Sequence, residues 1–195
     1  HPSYVGGHSV AGGAMTTALK CMFSMYDDCG ELLKWDDELI NSFYETEYDE
    51  DTNKKINRFV YENKGSDESN NDEYVEYTGS DKCYMTVAGE INKIADFTTH
   101  MRDVAGVHYF SDGDAGKFLG QTVAIKYFQD MLKSSLAKDQ KGLNDIIKLH
   151  TFLGQDVSIS HDKIIYNSNE VTCEDLYPEH LRNRLEIAPV FKLHY

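Results

Sequence analysis

The chain lacks the features that mark membrane-spanning, zinc-binding and nucleic-acid-binding proteins. No apolar run in its 195 residues approaches the roughly 20 residues of a transmembrane helix. Lysine and arginine number 19 against 33 aspartate and glutamate, a formal net charge of −14, so there is no basic footprint for a phosphate backbone. The four cysteines show no zinc-site spacing. We expect no nucleic-acid partner and no membrane span.

Proline is also scarce, and long stretches of the chain without proline have the residue pattern of helices. The only prolines are Pro2, Pro178 and Pro189, and none follows an arginine. Apolar residues recur at three- and four-residue spacing along three stretches, which predicts three helices whose apolar faces form the core. The stretches are Val10, Ala14, Ala18, Met22 and Met25; Val87, Ile91, Ile94, Ala95 and Met101; and Phe118, Leu119, Val123, Ala124, Tyr127, Phe128 and Met131.

Weaker patterns lie near the end of the chain and in its acidic segment. Leu143, Ile146, Ile147 and Leu149 predict a further helix or turn, and Cys173-Glu174-Asp175 predicts the start of a short helix ending at Arg184. The segment from Glu45 to Glu76 is rich in Asp, Glu, Asn and Ser, which indicates a surface excursion. Its Asp49, Glu50 and Asp51 could offer oxygen ligands to calcium. The spacing of an EF-hand is absent, which favours a solvated loop.

The segment from Arg102 to Asp112 carries side chains suited to a tetrahedral oxyanion. The Arg102 guanidinium is a permanently charged fork of donors that grips two oxygens. His108 follows six residues later and offers a nitrogen that can bond to the central atom. Gly106 lies between them and predicts a turn that lets both side chains converge. Asp112, four residues after His108, is placed to accept the proton on the second ring nitrogen.

A second part of this candidate site lies at the start of the chain. Gly6-Gly7-His8 precedes the first predicted helix, whose free amide groups attract an anion that the glycines allow to approach closely. His8 is placed there as an acid–base group. A lone histidine at a helix start is more often structural, and Arg-x5-His-x3-Asp alone is common by chance. The joint pattern predicts a vanadate or phosphate site.

At these residues the chain resembles the vanadium-dependent haloperoxidases, and specifically the bromoperoxidases of algae and cyanobacteria. The opening HPSYVGGHSVAGGAMTTALK is similar to the family's H-P-[ST]-Y-P-S-G-H-A segment, and MTVAGEINKIADFTTHMRDVAGVHYFSDGDAGKFLGQTVAI to the segment with the vanadate arginine and histidine. His150 to Ile165, two short strands around Gly154-Gln155-Asp156, is similar to a hairpin near the end of those enzymes. The resemblance implies a mainly α fold, a helical bundle of the haloperoxidase and acid phosphatase type with a small C-terminal β-hairpin.

The resemblance also implies residue roles and an activity. His108 would be the axial ligand of vanadium, with Arg102 and the Gly7 amide holding the other oxygens. His8 would be the acid–base residue, and His1 would lie beside the metal site and tune halide use. The cofactor would be vanadate, and the reaction would be oxidation of bromide or iodide by hydrogen peroxide to hypohalous acid, which halogenates organic acceptors.

Several departures from the family pattern are visible. Gly6 stands where a serine is usual, Val5 where proline is usual, and Phe110 where an arginine is usual. The upstream motif that supplies a lysine and an arginine and ends in Arg-Pro is absent. We therefore expect residues 1–195 to be the C-terminal portion of a single haloperoxidase-like domain, with an acidic insertion at about 45–80. A missing N-terminal portion and a homo-oligomer are further expectations.

The resemblance also implies a disulfide bond between two of the cysteines. Cys29 and Cys83 match positions of a disulfide pair in algal bromoperoxidases, and such a bridge would favour a secreted, cell-wall or other oxidising compartment. Cys173 also resembles a family cysteine, whereas Cys21 reads as a small buried thiol. Two other functions stay open. One is an acid phosphatase with His108 as nucleophile, and the other is a non-catalytic structural component whose site is degraded by Gly6 and by loss of the upstream motif.

Overall fold

The computed structural model describes residues 4–34, 80, 85–134 and 146–182, with the backbone alone of four strands between residues 48 and 76. The chain forms two compact units. The first contains residues 1–25 and 91–195, and the second contains residues 26–90. The described part is mostly helical and carries a small antiparallel sheet, which confirms the predicted fold class.

Three helices correspond to the three predicted stretches. They are α1 (Gly7–Met22), α2 (Val87–Val104) and α3 (Phe110–Lys133). Each begins or ends within a few residues of the apolar pattern that predicted it. The sequence periodicity therefore located the helices correctly.

Helices α1 and α3 pack backbone against backbone because glycines line their contact. A Cβ atom at Gly120 would overlap the Val10 carbonyl oxygen, and one at Gly13 would overlap the Lys117 carbonyl oxygen. At Gly116 a Cβ would lie 2.8 Å from the Gly6 carbonyl oxygen. Only glycine permits an approach this close. The contact places the first turn of α1 beside the first turns of α3.

The buried face of α1 differs from the predicted apolar stripe. The buried residues are small or polar: Ser9, Gly13, Thr16, Thr17 and Lys20. The stripe residue Met22 is 66% exposed, and several stripe residues of the other two helices are also exposed, namely Ile94, Met101, Val123 and Tyr127. The prediction that these stripes form the core was wrong for those residues. Close packing of helix backbones selects small side chains for the interface and turns larger ones away.

Lys20 joins α1 to α2 and to the C-terminal sheet. Its ammonium group donates to the Asn92 side-chain oxygen at 2.5 Å and to the His150 carbonyl oxygen at 2.7 Å. It also lies 4.4 Å from the centre of the Phe152 ring. The side chain is fully buried, and this burial lowers the pKa of Lys20 from 10.5 to about 7.

The C-terminal sheet is antiparallel and contains four strands in sequence order. These are β5 (Ile147–His150), β6 (Asp156–Ile159), β7 (Ile164–Tyr166) and β8 (Asn169–Val171), numbered after four strands of the second unit. The turn between β5 and β6 contains Gly154 at φ 73°. One face covers α3 in a core of Ile125, Leu149, Val157, Ile159, Ile164, Cys173 and Leu176. The predicted hairpin is confirmed, and a second hairpin extends it.

Two predictions for the C-terminal region need correction. Ile147 and Leu149 belong to strand β5 and not to a helix or turn, because alternate side chains of the strand face the core. The predicted helix from Cys173 is divided into a 3₁₀-helix (Glu174–Leu176) and a helical segment at 179–182. Pro178 lies between them and cannot donate the hydrogen bond that would continue the first helix. Arg184 and Leu143 lie outside the described residues.

The second unit contains short β pairings. Tyr26 pairs with Leu32 and Lys34 with Thr86. The acidic segment contains two hairpins, formed by β1 (Tyr48–Asp49) with β2 (Lys54–Lys55) and β3 (Tyr61–Ser66) with β4 (Asp72–Glu76). The side chains suggested for calcium lie outside the described residues.

The expected Cys29–Cys83 disulfide is not supported. Cys29 carries an exposed free thiol, and Cys83 lies outside the described residues. Cys21 and Cys173 are also free thiols, and burial raises the pKa of Cys21 to about 12 and that of Cys173 to about 11. No helix in the described ranges has the length and apolar character needed to cross a membrane.

Candidate oxyanion site

The loop between α2 and α3 carries the predicted arginine and histidine. Helix α2 ends at Val104, and Gly106 adopts a φ of +69°, a conformation that favours glycine. The Gly106 amide donates to the Asp103 carbonyl oxygen at 2.9 Å, and the Val107 amide donates to the Arg102 carbonyl oxygen at 3.2 Å. These bonds close the end of the helix and turn the chain. The turn predicted at Gly106 is therefore present.

Asp112 connects this loop to helix α3. Its Oδ2 accepts a hydrogen bond from the Tyr109 amide at 3.2 Å, which stabilises the first turn of α3. The same oxygen lies 3.5 Å from His108 Nδ1, and both side chains are 8% exposed. The distance suits an ion pair with a protonated imidazole, but the predicted hydrogen bond is not formed. With Nδ1 on the Asp112 side, Nε2 is the ring nitrogen left to meet a ligand.

The start of α1 is bonded directly to the start of α3. The Gly6 amide donates to the Asp112 carbonyl oxygen at 3.0 Å, and the Gly6 carbonyl oxygen accepts the Val10 amide at 3.0 Å. The amides of the intervening first turn have no partner within the helix, and the helix dipole adds partial positive charge there. Gly7 and His8 are exposed on this turn. A donor-rich helix terminus thus adjoins the Asp112 segment.

Several buried polar atoms in this region have no hydrogen-bond partner. Seven such side-chain atoms occur in the described residues: Ser9 Oγ, Thr17 Oγ1, Thr99 Oγ1, Arg102 Nε, both carboxylate oxygens of Asp103, and His108 Nδ1. All but the Thr17 atom belong to the first turn of α1, the last turns of α2 or the following loop. Buried polar groups are normally paired, so this concentration makes the region a candidate ligand site.

The structure brings some of the predicted site residues into contact and leaves others without a direct contact. Asp112 contacts both Gly6 and His108, whereas no bond among the described residues joins His8 to Arg102 or His108. His1 lies outside the described residues. These site assignments therefore stay predictions.

Three polar residues of this region were missed by sequence reasoning. Ser9, Thr99 and Asp103 are hydroxyl and carboxyl residues within helical patterns, and no spacing rule marks them. Ser9 and Thr99 meet at Gly113, where an added Cβ would overlap the Thr99 methyl group and lie 3.6 Å from Ser9 Oγ. Glycine at 113 allows the two hydroxyl side chains to share this space.

The chemistry of these groups suits an oxyanion. A guanidinium, two imidazoles, helix-terminal amides and two hydroxyls are all hydrogen-bond donors to oxygen in at least one protonation state. Asp103 and Asp112 add two carboxylates among them. Within the described residues, this region included, no group of three or more His, Cys, Asp or Glu side chains could hold a metal ion.

Comparison with known proteins found no matching family model, but it found curated relatives. The chain is 34% identical over 130 residues to a vanadium-dependent bromoperoxidase of Corallina pilulifera, and 34% identical over 133 residues to one of Corallina officinalis. It is 29% identical over 126 residues to the enzyme of the same name from Ascophyllum nodosum. These matches cover 65–67% of this chain and 16–17% of the relatives, so the chain spans about one sixth of their length.

Proposed function

We propose, since about two thirds of this chain is a vanadium-haloperoxidase-like region, that the protein binds vanadate and uses it to oxidise halide with hydrogen peroxide. The halide would be bromide or iodide, and the product would be hypohalous acid that halogenates organic acceptors. The relatives named above are bromoperoxidases, which supports the proposal.

The observation that carries the proposal is the buried Arg102 Nε, which has no hydrogen-bond partner among the described residues. His108 lies beyond Gly106 with its Nδ1 3.5 Å from Asp112 Oδ2, which leaves Nε2 for the ligand. A guanidinium nitrogen that lacks a protein partner is suited to a ligand that accepts hydrogen bonds and carries negative charge. The amides at the start of α1 adjoin this loop through the Gly6–Asp112 hydrogen bond. Together they supply donors from two sides.

Each residue has a distinct proposed role. Arg102 holds oxyanion oxygens and balances their charge, and the Gly7 amide donates to a further oxygen. His108 offers Nε2 to the central atom, while Asp112 orients the ring through its contact with Nδ1. His8, exposed on the first turn of α1, accepts and returns protons near the ligand. His1 is proposed to lie nearby and to influence halide use.

Vanadate, when bound, supplies a Lewis-acid centre that polarises peroxide for attack by halide. The protein residues supply donors that are already in place before the reaction, which lowers the cost of reorganisation. Phe110 is 61% exposed and stacks on His100 with the ring centres 5.5 Å apart. We propose that this ring borders the halide approach.

The test is peroxide-dependent bromination and iodination of a phenol-type dye by the complete protein loaded with vanadate. We expect activity that is lost in His108→Ala. The matched control is His161→Ala, which removes an exposed histidine in the turn between β6 and β7 and should keep full activity. Equal activity in His108→Ala would refute the assignment.

The same assay separates the two other functions. Phosphate has the charge and shape of vanadate, so hydrolysis of a phosphate ester without halogenation would identify an acid phosphatase. Failure of the complete protein to bind vanadate would identify a non-catalytic structural relative. Homo-oligomer formation, further cationic contacts from outside the described residues, and an oxidising compartment are also proposed for the whole protein.

A further inference from the structure

We propose that the Ser9 hydroxyl is a ligand-binding group of this site and donates a hydrogen bond to the bound oxyanion. This inference rests on the proposed function, because it names a residue that would contact the same ligand. Ser9 lies in the first turn of the 16-residue helix α1, where the free amides already favour an anion. The evidence beyond that helix terminus is the state of the Ser9 side chain itself.

The Ser9 side chain is buried, and its hydroxyl has no partner. The residue is 1% exposed, and Oγ forms no hydrogen bond with any described group. Its Cβ is held against α3, since a Cβ at Gly116 would lie 2.9 Å from it. A buried hydroxyl without a partner destabilises a protein unless a ligand supplies the acceptor.

The neighbouring backbone carbonyl oxygens accept amide hydrogen bonds, and neither is bonded to Ser9 Oγ. The Gly6 carbonyl oxygen accepts the Val10 amide, and the Asp112 carbonyl oxygen accepts the Gly6 amide, each at 3.0 Å. Thr99, which shares the space at Gly113 with Ser9, has an unpartnered hydroxyl oxygen as well. The hydroxyl groups of both Ser9 and Thr99 are therefore available to bind a ligand. Arg102 follows Thr99 by one helical turn on α2.

The position of Ser9 Oγ explains the glycine that precedes α1. Gly6 is the N-cap of α1, a position where a serine usually supplies a hydroxyl. A Cβ built at Gly6 would lie 3.2 Å from Ser9 Oγ, which is tighter than an ordinary contact. Side chains at 6 and 9 thus compete for one space, and in this chain residue 9 supplies the hydroxyl there.

The experiment measures vanadate affinity of the complete protein directly, by equilibrium dialysis and by the ⁵¹V NMR signal, without peroxide or halide. We expect Ser9→Ala to weaken vanadate binding about 10- to 100-fold, as for loss of a hydrogen bond to a charged ligand. The matched control is Thr17→Val, which removes another buried, unpartnered hydroxyl two turns further along α1. It should bind vanadate as the natural protein does.

A second variant moves the hydroxyl back to the N-cap. In Ser9→Ala the space beside Gly6 is open, so Gly6→Ser combined with Ser9→Ala should restore affinity to within a few-fold. Gly6→Ser alone should not improve it, because Ser9 Oγ occupies that space. Circular dichroism checks that each variant is folded. If Ser9→Ala does not fold, the vanadate affinity of the double variant alone tests the role of the hydroxyl.

The outcomes distinguish this inference from the proposed function. If the natural protein binds no vanadate, or His108→Ala binds it equally well, the proposed function fails. If the natural protein binds vanadate and Ser9→Ala binds it with unchanged affinity, only the role of Ser9 is overturned. Equal losses in Ser9→Ala and Thr17→Val, or no rescue by the double variant, would also overturn it.

Discussion

Replacing Lys20 by methionine should remove a specific dependence of stability on pH. Lys20 is fully buried, and desolvation lowers its pKa from 10.5 to about 7. Cys21 and Asp96 oppose this shift, and Lys117 adds to it. Between these two values the unfolded chain binds a proton that the folded protein releases. The contribution of Lys20 to the free energy of unfolding therefore rises with pH across that window. The destabilisation caused by burying a charged lysine is greatest below pH 7.

The magnitude follows from the two pKa values. A difference of about 3.5 pKa units corresponds to roughly 5 kcal/mol of ionisation cost below pH 7. Between pH 7 and pH 9 the folded protein recovers about 2 kcal/mol of it, because the unfolded lysine stays protonated there. The methionine side chain of the variant does not titrate and recovers nothing. The natural protein should therefore gain about 2 kcal/mol relative to Lys20→Met over these two pH units.

The assay is urea unfolding of both proteins at pH 7, 8 and 9. The offset between them also contains the lost hydrogen bonds to Asn92 and His150, so the change of the difference with pH is the informative quantity. Groups that titrate alike in both proteins cancel in that difference. Lys133→Met is the matched control, because Lys133 is 55% exposed, and its difference from the natural protein should not vary with pH. Parallel curves for Lys20→Met would refute the reasoning.

Three further predictions concern the frame of the site. Gly120→Ala should lower the free energy of unfolding by about 1–3 kcal/mol, because its Cβ would overlap the Val10 carbonyl oxygen; an unchanged thermal midpoint would contradict the backbone contact of α1 and α3. Asp112→Ala should cost about 1 kcal/mol, since the Tyr109 amide loses its acceptor, and unaltered urea unfolding would exclude that role. Gly106→Ala should cost about 1 kcal/mol and weaken vanadate binding, because φ is +69° there; unchanged stability would show that the turn tolerates a side chain.

Local patterns predicted the helices and the loop of the candidate site. Three- and four-residue periodicity located α1, α2 and α3, and Gly106 predicted the turn between Arg102 and His108. These features depend on interactions between residues close in sequence. The pattern failed for the strand at Ile147, where a short apolar run does not distinguish helix from strand and the core contacts decide.

The periodicity also gave the wrong buried face for α1. Apolar spacing pointed to Val10 and Met22, but the buried residues of α1 are Ser9, Gly13, Thr16, Thr17 and Lys20. A glycine-lined contact brings helix backbones together, and it favours small side chains over large apolar ones. No single-sequence pattern shows which glycines will meet across such a contact.

The sequence by itself determined the helices, the chain turn at Gly106 and the residue types that could bind an oxyanion. Only the tertiary structure decided that the Gly6 amide bonds to the Asp112 carbonyl, that Lys20 is buried and donates to the His150 carbonyl, and that Ser9 packs against Gly116. Helix formation and turns depend on neighbours along the chain. Burial, pKa shifts and shared space depend on segments about 100 residues apart, which meet only when the chain packs.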